Sequence, residues 1–242
     1  MCSIVVVRGV WHDTPLLVVA NRDEALSRPA QGLQQRTIDG LLITHPVDLK
    51  AGGTWLGTNA RGVFVGLTNR YSGPPDPKRR SRGELVHRLL ESRSLSAAVS
   101  TARGYSAADY NPCHLVFATA DEMAVLVNNG NEWSAPEVDE HLAVVTERSY
   151  GAAETKREPL IHKLIVPWLA SPEAPNQYQI QRAMATHAQP TFEGICVHWD
   201  AHSYGTRTLF SGRLGRDGTW SHYETFGPPC AAPLRSFPMA ET

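Results

Sequence analysis

The sequence predicts an α+β fold, a four-layer αββα sandwich of two stacked antiparallel sheets covered by helices. Three observations carry that prediction. Short apolar runs rich in β-branched residues crowd both ends of the chain, the helical periodicities are grouped in its middle, and 242 residues without repeats or low-complexity segments suit one large core. The whole of 1–242 is therefore read as a single domain, with about 228–242 as a Pro-rich, loose tail.

Residues 3–7 (Ser-Ile-Val-Val-Val) and 16–20 (Leu-Leu-Val-Val-Ala) flank the turn signal Asp13-Thr14-Pro15 and read as adjacent antiparallel strands. Strand patterns follow at 41–44 and 63–68, the second after the Asn59-Ala60-Arg61-Gly62 turn, and a loop with three prolines fills 71–78. A helix opens at Ser81, where Ser81 and Glu84 match a capping box and Leu85, Leu89 and Leu90 share a face. Strands resume at 115–118, 123–127 and 142–145. A second helix covers about 154–169, shortened by Pro159 and Pro167, and a third about 177–187. The last strands are 195–199, 207–211 and 220–226.

Composition narrows the function classes. A hydrophobic fraction of 42% argues against disorder, and a net charge of −1 gives no general attraction to nucleic acid or to a membrane surface. No apolar stretch approaches the roughly eighteen residues that span a bilayer, and no basic segment precedes a long apolar core at the start, so a cytoplasmic protein is expected. Cys2, Cys113, Cys196 and Cys230 show no Cys-x-x-Cys spacing, so neither a metal site nor a disulfide framework is expected.

Cys2 stands directly after Met1. Removal of Met1 would leave a thiol and a free α-amine on one residue, a nucleophile with its own base. The amine titrates near ~8 and the thiol near ~8.5, and a neighbouring cation such as Arg22 is expected to lower the thiol further. Without such a setting a free cysteine is a small hydrophobe starting a buried strand. The setting is Asn21-Arg22-Asp23-Glu24, which the first hairpin folds back beside residue 2.

These residues resemble those of the NRDE family, also called the transport-and-Golgi-organization type. The resemblance runs from Met1-Cys2 and Ala20-Asn21-Arg22-Asp23-Glu24 with Arg28-Pro29, through Ala51-Gly52-Gly53-Thr54-Trp55-Leu56-Gly57 and Leu67-Thr68-Asn69. It ends with Ser81-Arg82-Gly83-Glu84-Leu85 and Tyr204-Gly205-Thr206-Arg207-Thr208. It implies an N-terminal-nucleophile hydrolase-like fold, akin to the penicillin V acylase and bile-salt hydrolase group. That group also starts with cysteine after a removed methionine and sets an arginine and an aspartate at the end of its second strand.

On that resemblance Cys2 is the nucleophile, Arg22 favours its thiolate, Asp23 holds the α-amine and Asn69 donates to the oxyanion. Asn21, Glu24, Trp55, Thr68, Arg82 and Arg207 are assigned to substrate binding. The implied reaction is hydrolysis of an amide or thioester of a small anionic or acyl substrate, with no cofactor.

Two departures stand out. The hydrolase group separates its arginine and aspartate by two residues, whereas Arg22 and Asp23 are adjacent and on a regular strand point to opposite faces. One site takes both only if the backbone bulges or turns. Where the group carries an asparagine this chain reads Thr146-Glu147-Arg148, so Asn128 or Asn129 must substitute or part of the machinery is missing. The alternative is a non-catalytic carrier of haem or acyl-coenzyme A, since the family is associated with haem mobilisation and lipid metabolism. Haem would need an axial ligand, which the ten histidines can offer, and an acyl carrier would need Arg22, Arg82 or Arg207 at the mouth of an apolar groove.

Two weaker patterns complete the reading. Lys78-Arg79-Arg80-Ser81-Arg82 beside a helix start suits either a solvated loop or an anion site. His198, Asp200 and His202 would share one face of a strand, a pattern that is usually ordinary surface.

Overall fold

The computed structural model describes residues 2–238. The first half contains β1 (Cys2–Arg8), β2 (Leu16–Ala25), β3 (Ala30–Ile38), β4 (Leu41–Asp48), β5 (Leu56–Asn59) and β6 (Phe64–Asn69), then the helices α1 (Arg82–Leu89) and α2 (Leu95–Gly104). The second half runs β7 (Cys113–Ala118), β8 (Met123–Asn128), β9 (Trp133–Ser134), β10 (Leu142–Thr146), α3 (Arg157–Leu169) and α4 (Gln177–Met184). It ends with β11 (His198–Trp199), β12 (Tyr204–Leu214), β13 (Trp220–Glu224) and β14 (Arg235–Ser236).

Every ladder between the named strands is antiparallel. One sheet orders its strands β10-β1-β2-β12-β13-β14, with β11 on β12, and the other runs β3-β4-β5-β6-β7-β8-β9. The alternation of side chains along each strand sorts the core into three layers. Ile4, Val6, Leu16, Val18 and Ala20 meet Phe64, Val116 and Ala118 between the sheets. Val5, Val7, Leu17 and Val19 instead face Ile161 and Ile165 of α3 and Ile180 and Met184 of α4. On the far side Val65, Leu115 and Phe117 pack beneath Leu85, Leu89, Ala98 and Ala102 of α1 and α2. Helix, sheet, sheet and helix form the expected αββα sandwich. Among the described residues no helix is long and apolar enough to cross a membrane.

Several elements differ from expectation. β2 runs through the tetrapeptide to Ala25, so Asn21 to Glu24 form a strand and not a turn. β3 escapes the sequence pattern because it is a polar edge strand in which only Leu33 is buried. α2 escapes because its buried face is small, Leu95, Ala98 and Ala102, behind a Ser94 cap that accepts from Ala97 N. At α1 the capping box does not form: Ser81 makes no side-chain cap, and Glu84 pairs with Arg80 at 2.6 Å. α3 starts at Arg157 instead of about 154. In 195–199 only His198–Trp199 joins a ladder, and Asp200–His202 coil into a 3-10 turn, so the His198, Asp200, His202 face does not exist. Of the segment from about 228 to 242, expected to be loose, the part up to residue 236 is held where Gln181 Nε2 donates to Pro229 O and Ala232 O and where β14 pairs with β13, and 239–242 lie outside the described residues.

Candidate functional site

The first hairpin sets the geometry. Cys2 stands directly opposite Arg22, and Ser3 opposite Asn21. Even-numbered residues of both strands face between the sheets, as Ile4, Val6, Val18 and Ala20 do, while odd-numbered residues face the α3–α4 layer. Cys2 and Arg22 thus share one face, and Asp23 takes the other. A bulge does occur, but on the neighbouring strand: Thr206 pairs with Asp23 and Thr208 with Arg22, leaving Arg207 as the extra residue.

On the inter-sheet side the Arg22 guanidinium lies 4.3 Å from the Trp55 ring centre, a cation–π stack. Burial lowers the pKa of Arg22, and the nearby Cys2 and Glu24 act against that. Arg82 enters from the start of α1, donating from Nη1 to Pro112 O at 3.0 Å, and its charge also interacts with Cys2. What places Arg82 is a contact between two glycine-bearing motifs. Thr54 N donates to Gly83 O, and a Cβ on Gly53 would stand 2.6 Å from the Gly83 carbonyl carbon, so only glycine permits that approach.

The thiol does not behave as expected. Burial pushes the Cys2 thiol up and the Asp23 charge adds to this, while the positive chain terminus, then the Asp23 backbone contact and Arg22, pull down without prevailing. The contact is a long one, with Sγ 3.9 Å from Asp23 O. Arg22 therefore acts in the expected direction and is outweighed.

Beneath the sheet, Asp23 is buried in a charge cluster. Its Oδ2 accepts from Arg157 Nη1 at 2.9 Å and its Oδ1 from Thr206 Oγ1 at 2.6 Å. Burial pushes Asp23 up while Arg157 and Thr206 oppose it; burial likewise disfavours the Arg157 cation, but Asp23 and Glu147 more than offset this and raise its pKa. Glu147, at 5% exposure, lies 3.6 Å from Arg157 Nη1 and 3.7 Å from Arg148 Nε. Glu193 fixes the arrangement: its Oε2 accepts from Thr155 Oγ1, Lys156 N and Arg157 N and so caps α3. Arg157 and Glu193 carry no signal in the sequence, because nothing local distinguishes a helix-start arginine destined for burial, and Thr206 stands there only as part of the Tyr204–Thr208 motif, with no role of its own.

The other expected residues divide. Asn21 is a strut, donating from Nδ2 to Met184 O and Ile195 O. Thr68 is another: its Oγ1 meets His114 Nδ1 at 2.9 Å and Thr146 O at 3.4 Å, joining the ends of β6 and β10 across the sheets. Asn69, the next residue, is exposed at the end of β6 and pairs with Cys113. Glu24 Oε1 accepts from Ala25 N, and its Oε2 lies 3.8 Å from Arg28. Arg207 Nη1 donates to Ala25 O and Leu26 O, capping the end of β2.

Asn128 and Asn129 do not replace the missing asparagine. Asn128 spans Ala107 O and Gly130 N, and Asn129 Oδ1 accepts from Asn131 N and Glu132 N. The basic run is likewise dispersed, with Arg79 on Tyr110 O and Gly130 O and Arg80 on Glu84.

A cleft of about 240 Å³ opens between the sheets beside Arg22, walled by Pro46, Trp55, Arg207, Glu224 and Phe226. A larger groove of about 850 Å³ runs along α3 from Arg148 to Pro167, and none of the expected site residues lines it.

Known structures share this architecture. The fold is similar to that of an N-acylethanolamine-hydrolyzing acid amidase ortholog from Caenorhabditis elegans, with a TM-score of 0.60, 11% identity, and 87% of this chain and 92% of that one covered. It is similar to a conjugated bile acid hydrolase from Clostridium perfringens bearing alanine in place of its second-position cysteine, with a TM-score of 0.57, 8% identity, and 100% and 98% covered. Penicillin V acylase from Agrobacterium tumefaciens gives a TM-score of 0.52 at 12% identity over 93% of this chain and 83% of that one. Together they show the same αββα fold, which is N-terminal-nucleophile hydrolase-like in architecture. In sequence, the mouse Transport and Golgi organization 2 homolog is 40% identical over 82 residues, 32% of this chain and 29% of that protein. The human homolog is 40% identical over 80 residues, so the match spans under a third of either relative. Residues 1–225 match the family described as Transport and Golgi organisation 2, and the chain belongs to that family.

Proposed function

We propose that the protein is an N-terminal-nucleophile hydrolase that cleaves an amide or thioester bond of a small acyl or anionic substrate at Cys2. The observation that carries this reading is the cross-strand pair Cys2–Arg22, whose arginine lines a cleft between the sheets. The bile acid hydrolase of the same fold, studied with its second-position cysteine replaced, supports it.

The chemistry follows from the thiol being held neutral. Cys2 Sγ attacks the substrate carbonyl carbon, and the thiol proton passes to the Cys2 α-amine. The amine returns that proton to the leaving nitrogen or sulfur as the C–N or C–S bond breaks. Water then adds to the acyl-thioester and releases the acid and the thiol. Arg22 and Arg82 stabilise negative charge at sulfur and on the substrate, and Asn69 Nδ2 serves the oxyanion. Asp23, fixed by Arg157 and Thr206, positions the amine. This requires Met1 to be removed; Met1 lies outside the described residues.

The cleft favours the acyl reading over haem. The residues lining it include no histidine, cysteine, methionine or tyrosine, so it offers haem no axial ligand. Its volume is below the roughly 300–1,000 Å³ of drug-sized ligand pockets, which suits one acyl chain or head group between Trp55 and Phe226. Intact-mass spectrometry with a panel of amide and thioester substrates tests the proposal. A mature chain beginning at Cys2, turnover, and an acyl adduct lost in Cys2→Ala are expected. Retention of Met1 or an acetylated amine would remove the base and overturn the mechanism.

A further inference from the structure

Four metal-ligating side chains converge at a point far apart in sequence from the Cys2 motif. Cys196 Sγ lies 3.6 Å from Cys230 Sγ and 3.6 Å from His198 Nε2, and His198 Nε2 lies 3.1 Å from Cys230 Sγ. His187 completes the group, all four donor atoms falling within 4.8 Å of one another. We propose that His187, Cys196, His198 and Cys230 form a tetrahedral site of two cysteines and two histidines for a divalent zinc ion.

The spacing of Cys196, Cys230 and His198 fits that ion, and His187 is the outlying donor, up to 4.8 Å from the others, which has to draw in on binding. With Zn–S near ~2.3 Å and Zn–N near ~2.05 Å, the edges of a tetrahedron are about 3.8 Å between sulfurs and about 3.5 Å between sulfur and nitrogen. A disulfide would need the sulfurs at ~2.05 Å. Two thiolates and two imidazoles leave no open position, as in structural zinc sites. Binding releases two thiol protons to solvent and involves no oxidation or reduction.

The backbone holds the donors in register. Thr186 O accepts from both Ile195 N and Cys196 N, so the His187 and Cys196 segments lie side by side. A Cβ on Gly194 would stand 2.9 Å from Ala188 N and 3.2 Å from His187 Cα, an approach only glycine allows. Gln181 grips the carbonyls of Pro229 and Ala232 on either side of Cys230. The donors are drawn from three segments, which is why no Cys-x-x-Cys pattern marks them.

The site also connects to the catalytic strand. Val197, between two of the ligands, donates its N–H to Thr206 Oγ1, and that hydroxyl donates to Asp23 Oδ1. Zinc would lock the Cys196–His198 turn and, through Thr206, the orientation of Asp23. Holding the C-terminal segment against α4 is its second effect.

Cobalt substitution tests the site. Reduced protein in a Cys2→Ala background, stripped with chelator, is titrated anaerobically with Co(II). Uptake of about one cobalt per chain is expected, with a thiolate-to-cobalt charge-transfer band and the intense visible bands of tetrahedral cobalt. Zinc should displace it. Cys196→Ser/Cys230→Ser should abolish the charge-transfer band, and His187→Ala, at an exposed ligand, should weaken binding roughly tenfold or more. Circular dichroism checks that the variants fold. No charge-transfer band in the reduced parent, or a band that survives loss of both cysteines, overturns the proposal. So does recovery of a Cys196–Cys230 disulfide without metal uptake.

Discussion

Asp23 and Arg157 stand 134 residues apart in sequence and meet at 2.9 Å under α3, both almost completely shielded from water. The pair joins the strand after Cys2 to the helix layer, and it sits on the face of β2 opposite Arg22. The tetrapeptide therefore divides its work: Arg22 addresses the cleft, and Asp23 is tied into the protein. The buried Glu147 shares the same guanidinium at 3.6 Å. A carboxylate where an asparagine was expected thus has a partner of its own in Arg157.

Removing Asp23 should be costly. Asp23→Ala leaves Arg157 buried with Glu147 as its remaining carboxylate, and breaking a buried pair typically costs about 3–5 kcal/mol. Arg157→Met should cost a similar amount by stranding two carboxylates. The double variant should lose less than the sum, because neither charge is then left uncompensated. Urea melts of the four proteins measure this; strict additivity would mean that the pair is not coupled.

Asn69 offers the contrast. It is exposed at the end of β6, and its strand is secured by Thr68 and by the Cys113 pairing. Asn69→Ala should leave the melt nearly unchanged and lower turnover by about a hundred- to a thousandfold if its amide serves the oxyanion. A fall in turnover of only a few-fold would take Asn69 out of the site.

The Cys2 thiol should titrate above its ordinary value near ~8.5, since burial outweighs the pull of Arg22. Arg22→Ala should move it higher still. Rates of alkylation by iodoacetamide across pH read both numbers. A low-pH inflection in the parent would mean a preformed thiolate and would make proton transfer to the amine unnecessary.

Much of this site is legible in the sequence, for a local reason. The β-branched runs around Asp13-Thr14-Pro15 fix the first hairpin, and the hairpin alone brings Cys2 opposite Arg22. The Gly53–Gly83 approach explains why two distant motifs contain glycine where they do. What local pattern cannot carry is a partner chosen by tertiary packing. Arg157 looks like any cation in the first turn of a helix, and its cap comes from Glu193, 36 residues away. Arg207, expected as a binding cation, lines the cleft while its Nη1 also holds the carbonyls ending β2, a second task that no local pattern announces. The polar edge strand β3 and the alanine-rich α2 lack the apolar contrast that periodicity requires.

The buried histidines make stability dependent on acid. His114 is fully buried against Thr68, and His222, at 4% exposure, meets Thr58 Oγ1 at 2.7 Å. Burial pushes both down to about 4, with Arg70 adding to the effect at His114. Burial does the same to His87, with its neighbour His45 contributing. Each is therefore neutral in the fold at a pH where the unfolded chain, with histidines near ~6.5, already binds a proton. The unfolded state holds more protons between about 6.5 and 4, so stability is complete above that window and falls as pH drops through it. Each of the two well-buried rings can remove up to about 3 kcal/mol across the window, a large part of an ordinary folding free energy. Glu224, raised by burial, works in the opposite sense at the acid end, where its protonation is favoured in the fold. Urea melts at pH 7.5, 6, 5 and 4 (values chosen to bracket that ~6.5–4 window) should show the midpoint falling steeply below pH ~6. His222→Gln, which keeps a polar partner for Thr58 but cannot be protonated, should flatten that slope. A midpoint flat from neutral pH to ~4 would show that these rings are protonated in the fold.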